Sequence, residues 1–95
     1  MNKTEYKIHA EDLINDISNR IDELQQRGYG KENRFQSEFD EKVKHLKELR
    51  NDLRAQLEEF DSIPESRWEE AKEKFKNGID FLKQGFSKLF SLLSQ

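Results

Sequence analysis

Hydrophobic residues recur along the first third of the chain at alternating steps of four and three residues. They stand at Ala10, Ile14, Ile17, Ile21 and Leu24. This spacing forms one apolar stripe, or seam, along a helix, in the a and d positions of a coiled-coil heptad. The pattern predicts a first helix over residues 4–28. Two nearby glycines, Gly28 and Gly30, favour its end or a turn.

The same spacing in two later segments predicts helices over residues 32–60 and 64–93. The second seam comprises Phe39, Val43, Leu46, Arg50, Leu53, Leu57 and Phe60. The third seam comprises Trp68, Ala71, Phe75, Ile79, Leu82, Phe86, Leu89 and Leu93. Pro64 marks the boundary between the two segments, because proline has no amide hydrogen for an internal helix bond.

The three segments predict an all-α fold in a single domain over residues 1–95. The expected architecture is an antiparallel helical hairpin or three-helix bundle with coiled-coil-like seams. The heptad phase slips by one residue between the first two segments, which favours a hairpin turn near residues 28–33. In the alternative, the first two segments form one long helix that makes a hairpin with the third, in a dimer.

Composition agrees with long, thin helices and narrows the choice of function. Charged residues make up 39% of the chain and hydrophobic residues 33%, with a net charge of -3. A strongly basic nucleic-acid binder is not expected, since such binding needs a surplus of positive charge. No apolar run approaches the roughly 18 residues of a transmembrane helix. The N-terminal residues lack the apolar stretch of a signal peptide.

A set of residues at fixed separations starts with an early tyrosine and ends with a Trp-Glu-x-x-Lys element. The set comprises Tyr6, Ile17, Ile21, Leu24, Phe39, Val43, Leu46, Arg50, Leu57 and Trp68-Glu69-Glu70-Ala71-Lys72. It resembles a family of small bacterial coiled-coil proteins of largely unknown function, sometimes labelled stress-response proteins. The chain departs from that pattern at Gly28-Tyr29-Gly30 and in a tail richer in Phe and Leu. The resemblance implies a cytoplasmic helical protein with no known catalytic residue.

Residues that carry catalytic or metal chemistry are sparse. His9 and His45 are the only histidines, and there is no cysteine. A structural zinc site needs about four ligands, usually Cys or His. Acid or base catalysis needs a carboxylate that lies in a cleft, buried or beside another charge, whereas adjacent carboxylates such as Glu58 and Glu59 lie on predicted exposed faces. We therefore expect no enzyme, no cofactor or metal, no small-molecule substrate and no nucleic-acid partner.

The C-terminal helix is the best candidate for a functional surface. Residues 71–95 contain five lysines and two acidic residues, a local net charge of +3. The predicted interaction face comprises Trp68, Phe75, Ile79, Phe81, Leu82, Phe86, Leu89, Phe90 and Leu93. Three roles remain open for this face. In the first, the face is the wall of the protein's own core and a dimer contact. In the second, it lies on an anionic membrane surface. In the third, it binds a different protein.

Arg50 is the one charged residue inside a seam. Burying it without a partner costs several kcal/mol, so we expect its side chain to reach solvent or an acidic residue. In the alternative, Arg50 is a polar seam residue that sets the register of the helices or the oligomeric state. The sequence thus predicts a non-enzymatic structural or protein-interaction protein, stress-linked if the resemblance holds, that self-associates through its heptad seams as a homo-oligomer. The alternative is a peripheral membrane protein that acts through its basic amphipathic C-terminal helix.

Overall fold

The computed structural model describes residues 2–28 and 33–93, which form three long α-helices and one short 3-10 helix. Helix α1 spans Lys3–Arg27, α2 spans Asn33–Glu58, the 3-10 helix spans Phe60–Ser62, and α3 spans Glu65–Leu93. The described part of the chain contains no strand. The all-α prediction is confirmed, and each α-helix begins and ends within two residues of the predicted bounds.

Helices α1 and α2 run antiparallel. Lys47 donates a hydrogen bond to Gln25 over 2.8 Å, and Arg54 donates one to Asn15 over 3.2 Å. Residue numbers therefore increase along α2 in the direction in which they decrease along α1. The alternative of one continuous helix across both segments is therefore wrong. The predicted turn near residues 28–33 falls mainly on residues 29–32, which lie outside the described residues.

Helix α3 returns antiparallel to α2, which makes it parallel to α1 in a three-helix bundle. The bundle is a rod of 51 × 18 × 17 Å. Its core is one continuous cluster of residues from all three helices, and the predicted seams account for it. The residues buried in that cluster are Ala10, Ile14, Ile17, Ile21, Leu24, Phe39, Val43, Leu46, Leu53, Leu57, Phe60, Trp68, Phe75, Ile79, Leu82 and Leu89.

Local signals explain where two of the helices begin. The Asn2 side chain caps α1 by accepting a hydrogen bond from the Glu5 amide over 2.8 Å, which satisfies one amide that the first helical turn leaves unpaired. At the other connection, the 3-10 helix ends with the Ile63 amide bonded to the Phe60 carbonyl. Pro64 follows directly and cannot continue that bonding, so α3 begins anew at Glu65.

Glycines allow α3 to lie close to α2. A Cβ atom on Gly78 would stand 2.6 Å from Cδ2 of Leu53, and one on Gly85 would stand 2.5 Å from Cδ2 of Leu46. The two contacts are seven residues apart along α3 and seven residues apart along α2, as expected for antiparallel heptad packing. The two leucines occupy space that any larger residue at these positions would need. The glycines therefore set the distance between the two helices.

Candidate interaction surface on the third helix

The structure divides the predicted interaction face of α3 into core and surface. Five of its residues are buried inside the chain, namely Trp68, Phe75, Ile79, Leu82 and Leu89. Phe86 and Leu93 are partly buried and pack against the same core. Phe81 and Phe90 are the exposed members, with 66% and 47% of their surface accessible. Within the predicted face, only these two rings are open to another molecule without a change of fold.

The two exposed phenylalanines lie on opposite flanks of α3. They are nine residues apart, which is about two and a half turns of an α-helix. Phe90 lies beside α1, where it lines a shallow depression with Glu23 and Arg27. Phe81 is three residues after Gly78 and so lies on the flank toward α2. A single flat surface thus cannot contact both rings.

Lysines bracket Phe81 on its flank. Lys74 precedes it by seven residues and Lys88 follows it by seven, so all three share one side of the helix. Both lysines are exposed. Neither forms an ion pair with any described residue. We call Lys74, Phe81 and Lys88 the Phe81 stripe, an exposed aromatic ring with a lysine two turns away on either side.

Arg50 is held by neutral side chains. Its Nη1 atom donates a hydrogen bond to the Ser18 hydroxyl oxygen over 2.8 Å, and its Nη2 atom donates one to Asn51 Oδ1 over 3.1 Å. The side chain is half-buried. Within the described residues, none of the ion pairs involves it. Of the two expected surroundings, solvent and an acidic residue, the guanidinium keeps partial contact with solvent and bonds to a serine hydroxyl and an amide oxygen instead of an acid. The proposed control of register or oligomeric state remains a prediction.

An aromatic cluster closes the end of the bundle where α2 meets α3. The Tyr6 ring lies 5.5 Å from Trp68 in an edge-on arrangement, and Phe60 lies 5.2 Å from both Trp68 and Phe75. The Lys72 ammonium lies 5.7 Å from the Tyr6 ring centroid, within the range of a cation–π contact. Burial raises the pKa of the Tyr6 phenol above its ordinary 10.0, because desolvation disfavours the phenolate.

The aromatic cluster brings together residues of the sequence pattern that are far apart along the chain. Trp68 and Lys72, which define the Trp-Glu-x-x-Lys element, both contact Tyr6, the early tyrosine. Lys3 adds a link, since its ammonium donates to the Ile63 carbonyl and lies 5.5 Å from the Trp68 ring. These separated elements of the pattern therefore meet at one end of the bundle, where they join α1 to the start of α3.

The two histidines and the acidic side chains form no metal-binding cluster within the described residues. His9 and His45 are exposed and lie on different helices. Across residues 2–28 and 33–93, no group of three or more His, Cys, Asp or Glu side chains is placed to hold a metal ion. Among the helices in those ranges, none has both the length and the hydropathy needed to cross a bilayer.

Comparisons with known proteins identify no relative. No family model, curated protein sequence or solved structure matches this chain. The resemblance to small bacterial coiled-coil proteins thus stays a prediction.

One buried polar residue was missed by the sequence pattern, and one exposed hydrophobic residue agrees with it. Ser18 is buried although it is polar, and it receives the Arg50 hydrogen bond. Its position directly after the seam residue Ile17 was the available signal. Ile8 is 54% exposed on α1. It falls outside the four-and-three spacing of its segment, so an exposed position agrees with the pattern.

Proposed function

We propose that this protein is a non-enzymatic helical bundle that acts through contact with other macromolecules, including copies of itself. The observation that carries the proposal is the Phe81 stripe. A phenylalanine that leaves water on binding contributes roughly 1.5–3 kcal/mol, and the two lysines favour a partner surface with negative charge. A role in a stress response and a cytoplasmic location follow the resemblance and belong to the same proposal.

Self-association in this proposal uses the surface that the fold leaves open. The heptad seams are covered by the chain's own helices, so separate copies reach them only if a bundle opens. Phe81 is accessible without any such change. The whole chain has a net charge of -3 and residues 71–95 carry +3, so residues 1–70 carry -6. That acidic part offers negative surface to the stripe of another copy.

Sedimentation velocity over a range of concentrations tests self-association. We expect the wild-type protein to associate as concentration rises, and Phe81→Ser to shift the association to higher concentration. Ile8→Ser is the matched control, since Ile8 is also an exposed large hydrophobic residue but lies on α1. A wild-type protein that stays monomeric at every concentration would contradict self-association. Equal effects of the two variants would contradict the assignment to Phe81.

A second candidate function is binding to an anionic membrane surface. The same stripe favours it, because an aromatic ring between lysines suits the boundary of acidic headgroups and acyl chains. Co-sedimentation with vesicles of anionic or neutral phospholipid tests this candidate. Binding to anionic vesicles that falls with salt and with Phe81→Ser would support it. The absence of any retained protein would exclude it and leave the protein-contact proposal in place.

A further inference from the structure

Helix α2 carries a row of exposed, mostly acidic residues along one side. The members recur at steps of three and four residues and comprise Glu38, Glu41, His45, Glu48 and Asp52. This spacing keeps them on one side of the helix. None of them forms an ion pair with any described residue, although Lys42 lies next to them in the sequence and offsets part of their charge. We call these five residues the acidic row.

The acidic row and the Phe81 stripe lie side by side on the bundle. Lys47 and Arg54 mark the side of α2 that faces α1, and Leu46 and Leu53 mark the side that faces α3. Each residue turns an α-helix by about 100°, so Leu49 lies beyond these two leucines and the acidic row lies beyond Leu49. The two rows therefore share the α2–α3 face, with the half-buried Leu49 between them.

The close contact of Gly85 with Leu46 fixes the relative height of the two helices along the rod. Because α3 runs antiparallel to α2, Lys88 is level with a point two residues beyond Glu41, a difference of about 3 Å. By the same count, Phe81 is level with the half-buried leucine between the rows. The positive row and the negative row thus overlap along the length of the bundle.

The charges on this face discriminate between two ways of pairing it with a second copy. A two-fold axis across the rod would lay stripe on stripe and acidic row on acidic row, and like charges that face each other repel. A two-fold axis along the rod lays each stripe over the acidic row of the other copy and keeps every residue at its own height. Lys88 then faces Glu41 of the second copy, and Phe81 faces its Leu49.

We propose that two copies form a closed dimer through the α2–α3 face, with the two-fold axis along the rod. This inference rests on the self-association proposed above and names the surface that receives the Phe81 stripe. Each contact occurs twice, as in any two-fold interface, and Phe81 leaves water against Leu49. Both stripes are covered in this arrangement, so association stops at the dimer.

Reversing one charge on each row tests the pairing in the full-length protein. Glu41→Lys and Lys88→Glu each bring like charges together twice in a dimer of identical copies, so each should raise the dimer dissociation constant by about tenfold or more. An equimolar mixture of the two variants should dimerise again, because one contact is then restored with its charges exchanged and the other is the wild-type pair. Sedimentation velocity measures the mass, and circular dichroism confirms that each variant is folded.

Matched controls make the same changes of charge away from this face. Glu23→Lys alters an exposed residue of α1, and Lys76→Glu alters an exposed residue on the α1 side of α3. Exposed substitutions of this kind have little effect on folding. We expect both controls to leave the dimer dissociation constant within about twofold of the wild-type value.

The outcomes separate this proposal from the one on which it rests. A wild-type protein that stays monomeric would overturn both. A wild-type protein that associates would leave self-association in place, and three results would then overturn the closed dimer. These are a mass that grows beyond two copies, a mixture of Glu41→Lys and Lys88→Glu that stays monomeric, and controls that weaken association as much as the variants on the face.

Discussion

Arg50 on α2 and Ser18 on α1 are joined by a hydrogen bond of 2.8 Å across the interface of the two helices. Ser18 is 6% exposed and is the single polar residue of the described part that is buried. The links from Lys47 to Gln25 and from Arg54 to Asn15 lie on either side of it. A slip of α1 by one turn, about 5.4 Å, would break all three links at once.

A double-mutant cycle measures the energy of the Arg50–Ser18 contact. Arg50→Leu leaves the buried hydroxyl without its partner, and Ser18→Ala leaves the guanidinium half-buried without one. We expect each single change to lower the free energy of unfolding by about 1 kcal/mol, and the double change to cost less than their sum by about 1 kcal/mol. Urea denaturation gives the values, and strictly additive effects would show that the contact contributes nothing.

The same double variant tests whether the polar pair sets register or oligomeric state. With Leu at position 50 and Ala at position 18, the seam is apolar throughout and several alignments of α1 and α2 become closer in energy. We expect broadened or doubled NMR signals and an altered sedimentation profile. Spectra and sedimentation identical to wild type would contradict the specificity hypothesis.

Gly78 is expected to resist substitution although it lies in a helix. Gly78→Ala gains about 1 kcal/mol from helix propensity, but its Cβ would meet Leu53 in a filled core, where overpacking costs roughly 1–3 kcal/mol. We therefore expect a net loss of stability in the wild-type background and a net gain when Leu53→Val has removed the clashing methyl group. The exposed Asn77→Ala serves as a control and should be slightly stabilising. A gain from Gly78→Ala in both backgrounds would argue against close packing.

The division of the α3 face into core and surface predicts that two phenylalanines contribute very different amounts to the free energy of unfolding. Phe75 is buried in the aromatic cluster, so Phe75→Ala should lower the free energy of unfolding by about 3–5 kcal/mol. Phe90→Ala, on the same helix but at an exposed position, should cost less than about 1 kcal/mol. Thermal or urea unfolding of both variants checks the contrast, and similar losses would place both rings in the core.

The raised pKa of Tyr6 predicts that the folded protein loses stability at alkaline pH. Its folded-state pKa is raised by burial, so folding favours the protonated phenol. This contribution is complete below the unfolded pKa near 10.0 and is lost as pH rises through the higher folded value. Tyr6→Phe should remove this part of the pH dependence. Absorbance titration of the phenolate in a Tyr29→Phe background isolates the group, and a titration midpoint at or below 10.0 would contradict the prediction.

The heptad spacing was enough to predict the three helices and most of the core. Steps of four and three residues determine which side of a helix is apolar, and an apolar side must be covered in water whichever helix covers it. The boundary at Pro64 follows from the chemistry of one residue. These features depend on neighbours within about one or two turns, so the linear order of residues contains them.

Other features depend on what stands opposite each residue. The spacing places Phe75 in the third seam and Phe81 outside it, but it does not say which residues lie against either ring. The α2–α3 distance set by Gly78 and the hydroxyl partner of Arg50 both join residues more than 20 positions apart. The sequence by itself thus determined the helices and their apolar sides. Only the tertiary structure decided which side chains meet, because that choice depends on the spacing and register of packed helices.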